Sequence, residues 1–77
     1  MANRHTNITK LRRYKKILAV QDKYKEVYKE RMTLAYIHFH YIEPEFFISY
    51  STFYNYLNVN AKREIRLLEE IIQNTNL

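Results

Sequence analysis

The chain of 77 residues has no cysteine, no glycine, no tryptophan and one proline. Without cysteine there can be no disulfide and no thiolate ligand for a metal. Without glycine, the loops that bring backbone close to a phosphate, in nucleotide-binding and dinucleotide-binding folds, are excluded. Tight hairpins also lose their usual turn residue. No apolar run approaches the roughly 20 residues a membrane span needs, and the opening MANRHTNITK is too polar for a signal peptide. A cytoplasmic protein is expected, as a single domain over 1–77 whose core lies near the lower limit for folding without staples. With few aliphatics beside eight Tyr and four Phe, the rings are expected to form that core, hydroxyls outward.

Acids are missing from the first sixteen residues, which carry Arg4, Lys10, Arg12, Arg13, Lys15 and Lys16. The net charge of +5 divides into +7 over residues 1–31 and −2 over residues 32–77. Such a cationic segment is the electrostatic footprint of a nucleic-acid binder.

Residues 1–8 read as a flexible basic arm. From Thr9 to Arg31 the pattern is helical, with Tyr14, Ile17, Gln21, Tyr24 and Tyr28 in one stripe that Val20 and Val27 widen. Thr9 or Asn7 is the candidate cap. Thr33 is the next cap, and Pro44 closes the helix it opens at about Ile42, because proline lacks a donor and displaces the residue before it. Alternation around His38–Tyr41 also suits a strand, but a lone strand would have no partner, so helix is expected. Asn58-Val59-Asn60 punctuates before a last helix from about Ala61 to Asn74. There Ala61, Ile65, Leu68 and Ile72 face inward, and Leu67 and Ile71 extend the apolar arc to roughly half the circumference, a surplus that suits either a partner helix in a homodimer or the first helix wrapped over it. The expected class is all-α, with four helices.

Residues 44–48 are expected to form the turn between the two middle helices, and the second of these helices covers about 49–58, within the stretch FFISYSTFYNYLN of residues 46–58. Ser49 is placed to cap the helix after it. Steps of about 100° put Phe53, Tyr56 and Leu57 on its back, and Ser51, Tyr54, Asn55 and Asn58 on its front. A front of neutral donors, acceptors and a ring suits base edges. ISYSTFYNYL resembles the turn and recognition helix of helix-turn-helix domains, in the I-S-x-S-T-x-Y-x-Y-L form of resolvase- and transposase-type DNA binders. Where that motif usually has glycine in its turn, this chain has Phe47, so a longer, less regular turn that avoids left-handed geometry is expected. Where the motif has a small residue within its first helix, this chain has Glu43-Pro44.

Tyr50, Ser51, Tyr54, Asn55 and Asn58 are the candidate base contacts, Asn55 suiting an adenine edge. Arg4, Lys10, Arg12, Arg13, Lys15, Lys16, Thr52, Lys62 and Arg63 are the candidate backbone contacts. His38 and His40 would point about 200° apart on a helix and cannot share a metal, so one buried and one exposed histidine is expected. No Arg and His cluster surrounds Tyr50, Tyr54 or Tyr56 to support tyrosine phosphotransfer, and Glu43 and Glu45 flank a proline without partners. No catalysis, cofactor, metal, membrane or small-molecule substrate is expected. The leading expectation is a sequence-specific binder of double-stranded DNA, a transcriptional regulator or phage or mobile-element factor. The alternative is an adaptor or inhibitor that presents a Tyr-rich surface to another protein.

Overall fold

Side-chain caps set three of the helix starts in this chain. Thr33 Oγ1 accepts from the Tyr36 N–H at 3.1 Å, Ser49 Oγ from the Thr52 N–H at 3.2 Å, and Asn60 Oδ1 from the Arg63 N–H at 3.4 Å. Each satisfies a donor that the first turn of a helix leaves unpaired. A computed structural model describes residues 4–75, with side chains over 6–74. It shows an all-α chain: α1 (Arg4–Val27), α2 (34–46), α3 (Tyr50–Leu57) and α4 (Ala61–Thr75), with no strand among the described residues. No described helix is long and apolar enough to cross a membrane.

Two boundaries of α1 differ from expectation. It begins at Arg4, so the part of the basic arm within 4–8 is helical, while Met1, Ala2 and Asn3 lie outside the described residues. Neither Asn7 nor Thr9 caps it, since both sit inside the helix and Asn7 is buried. Nothing in residues 4–8 breaks a helix, and elongation is favourable once a nucleus exists. At the other end α1 stops at Val27 rather than Arg31. The Met32 N–H closes a turn onto the Lys29 carbonyl at 3.1 Å, and Arg31 is left-handed at φ 77°.

α2 corrects the reading of Pro44. The helix runs past the proline to Phe46, through an α turn (Leu34–Ile37), a π turn (His38–Ile42) and a second α turn (Glu43–Phe46). In a regular α-helix the proline ring would strike the carbonyl four residues back. Here the Glu43 N–H reaches the His38 carbonyl, one residue farther than an α bond, and this wider turn immediately precedes Pro44.

The chain divides into two compact units, Met1–Leu18 with Asn60–Leu77, and Ala19–Val59. In the second, Val20, Ile37, Ile42, Ile48 and Phe53 form the core, with Tyr24, Val27, Met32, Leu34, Phe46, Tyr56 and Leu57 around it. This corrects the expected aromatic core. Branched aliphatics fill the centre with Phe53, and most rings sit at the rim or in solvent. In the first unit Ala61 and Leu68 of α4 are buried, as is Ile17 of α1, while Leu11 and Ile72 line one surface depression.

Candidate nucleic-acid interface

The second unit places α2 and α3 in sequence across a connection of three residues, Phe47, Ile48 and Ser49. Phe47 itself takes the left-handed position, φ 55° and ψ 42°, and its N–H returns to the Glu43 carbonyl at 2.9 Å. The long, irregular turn expected from the lack of glycine is therefore absent. A phenylalanine adopts the conformation that glycine favours. His38 fixes the next residue, its Nε2 lying 2.7 Å from the Ile48 carbonyl. A carbonyl only accepts, so this nitrogen carries the proton. His38 is buried and His40 exposed, as the helical spacing predicts.

Both ends of α3 are fastened. At the start, Ser49 accepts from the Thr52 N–H and donates its hydroxyl to Thr52 Oγ1 at 3.0 Å. At the end, the Gln21 amide donates to the carbonyls of Tyr56 and Val59, each at 2.7 Å. Gln21 and His38 are the residues that reading for function misses. The signal for Gln21 was there, a lone amide within an apolar stripe, which needs buried partners. The back of α3 is Phe53, with no exposed surface, stacked on His38 at 5.9 Å and tilted against Tyr24 at 6.2 Å.

On the front, Tyr50, Ser51, Tyr54, Asn55 and Asn58 are all exposed. They are not equally free. Asn58 Nδ2 donates to the Tyr54 carbonyl at 3.1 Å, so this amide also closes the helix end. The Tyr50 ring meets His38 edge-on at 5.8 Å. Thr52 is half-buried, with its oxygen engaged by Ser49.

The candidate phosphate contacts lie in the other unit. Lys10, Arg12, Arg13, Lys15 and Lys16 on α1, and Lys62 and Arg63 on α4, are exposed, and none makes a salt bridge among the described residues. The side chains of Arg4 and His5 lie outside the described ones. Leu67 and Ile71 are 37% and 42% exposed on α4. Charge follows the division of the chain: the first unit holds nine Lys or Arg against three Glu, a net of +6, and the second four against five acids, a net of −1. No Lys or Arg occurs over residues 32–61. Among the described residues no three His, Asp or Glu side chains converge as a metal site would require.

No family model, curated protein or solved structure matches the chain.

Proposed function

We propose that the chain binds double-stranded DNA through a helix-turn-helix, with α3 in the major groove and the cations of the first unit on phosphates, as a transcriptional regulator or an accessory factor of a phage or mobile element. The observation that carries this reading is α3: a helix held at both ends and along its back, with an uncharged, hydrogen-bonding front left to solvent. Its three-residue connection to α2, with a left-handed residue in it, supports the motif. Phosphate contacts by Lys10, Arg12, Arg13, Lys15, Lys16, Lys62 and Arg63 would supply the affinity that a neutral front lacks.

The test is titration of a random-sequence duplex across a salt series. Affinity should fall steeply as salt rises, because each neutralised phosphate releases counterions. Affinity that stays flat from low to physiological salt overturns the reading. A palindromic preference would mark the homodimer expected of Leu67 and Ile71.

A second reading, a protein-binding adaptor, is favoured by two rings. Phe39 and Phe47 are 65% and 84% exposed within a stretch free of cations, and large exposed apolar groups mark protein interfaces. The double variant Ser51→Ala, Asn55→Ala separates the two. Lost sequence preference in a folded protein favours DNA, whereas an unchanged nucleic-acid signal with a protein partner recovered favours the adaptor.

A further inference from the structure

We infer that α3 is a reader of A·T base pairs, with Asn55 on adenine and the Tyr54 ring against the methyl of a thymine; this rests on the DNA-binding reading above. The first ground is what the segment cannot do. Guanine is read in the major groove chiefly by Arg or Lys, bidentate to O6 and N7, and the cytosine amino group by Asp or Glu. Residues 46–61 contain none of these four. From α3 itself a G·C pair therefore meets no group with the charge to read either of its bases, and the nearby cation, Lys25 of α1, borders the depression beside Tyr54 and Asn58.

The second ground is which amide remains free. The front carries two, Asn55 and Asn58. Asn58 spends a donor on the Tyr54 carbonyl at 3.1 Å, while the exposed Asn55 side chain makes no hydrogen bond among the described residues. A free carboxamide matches adenine, donating to N7 and accepting from the N6 amino group. The neighbouring face is apolar where it must be. Tyr54 precedes Asn55, is 50% exposed, and presents a ring rather than a charge. Among bases only thymine offers a methyl to such a surface.

The third ground is rigidity. Bidentate readout needs the amide held in plane, and α3 is fixed by Ser49 at one end, Gln21 at the other and Phe53 beneath. Ser51, four residues before Asn55 and on the same face, bonds to any base or to a phosphate and adds no preference of its own.

The experiment uses the full chain and a random-sequence duplex pool, followed by atom-level substitution in the selected site. An adenine should dominate one position, and its exchange for guanine should weaken binding about ten- to a hundred-fold. Replacing that adenine by 7-deazaadenine, which removes only the N7 acceptor, should weaken binding about ten-fold in the native chain and leave Asn55→Ala unaffected. Deoxyuridine in place of the adjacent thymine should cost a smaller, several-fold loss. The variant Asn55→Arg should shift preference at the one position from adenine to guanine. A G·C-centred consensus, no consensus among retained duplexes, or indifference to 7-deazaadenine overturns A·T readout and leaves DNA binding standing. Failure to retain any duplex at low salt overturns both.

Discussion

Phe47 holds φ 55° and ψ 42° while exposing 84% of its surface, so it bears strain without the usual compensation of burial. A left-handed residue with a Cβ costs about 1–2 kcal/mol. The alternative open to most chains, glycine, is absent from this one, and Arg31 at φ 77° is a second substitute. Phe47→Gly should therefore stabilise the fold. The gain is reduced by about 0.4–1 kcal/mol of added freedom in the unfolded chain. A net gain of about 0.5–1 kcal/mol, or a few degrees in Tm, is expected from denaturant and thermal unfolding. A loss of stability would mean instead that the ring packs into the surface depression it lines with His38, Glu43, Ile48 and Ser49. If Phe47→Gly is more stable yet binds its ligand less well, the ring is retained for contact, as strained residues at functional sites often are.

At the scale of elements, α3 depends on a side chain from α1. Gln21 donates both protons of one amide, to the Tyr56 carbonyl in the last turn of α3, which also accepts from the Val59 N–H, and to the Val59 carbonyl just beyond the helix. Gln21→Ala should cost about 1–3 kcal/mol, since the Val59 carbonyl loses the Gln21 donor and the Tyr56 carbonyl is left with its backbone bond from the Val59 N–H at 3.2 Å. Gln21→Glu should be at least as damaging despite its matched size, because a carboxylate cannot donate and would face two oxygens. Native-state hydrogen exchange should show the loss first in the amides of residues 53–59. If Gln21→Glu proves as stable as the native chain, the clamp is not what holds α3.

Such dependences explain how much of the fold could be read in advance. Thr33 and Ser49 were legible because capping is local, a hydroxyl three residues from the donor it satisfies. The back of α3 was legible from period alone. Pro44 misled because its penalty is defined for an α-helix, and the π turn at His38–Ile42 changes the geometry that the penalty assumes. Phe47 departs from expectation because the left-handed region is disfavoured for a residue with a Cβ by only about 1–2 kcal/mol, a preference rather than a prohibition. Asn58 and Asn55 look alike in sequence; only the Tyr54 carbonyl, 3.1 Å from one of them, tells them apart.

At the scale of the molecule, the proposed DNA binding would divide its work between two sets of residues, because charge is unevenly distributed between the units. The unit with α3 is nearly neutral at −1, while the other carries +6. If phosphate contact and base contact are divided in this way, they should respond to different substitutions. Lys15→Gln with Lys16→Gln removes two exposed charges from α1. The slope of log K against log[salt] should then become shallower by about 2, since each lost phosphate contact removes about 0.9. The preferred sequence should stay the same, because neither lysine belongs to α3. Asn55→Ala should do the reverse, flattening the preference while the salt slope holds. Fluorescence anisotropy on one matched and one scrambled duplex measures both quantities. A lysine pair that alters preference, or an Asn55 variant that alters the slope, would show that grip and readout share residues, and the two-part mechanism would have to be abandoned.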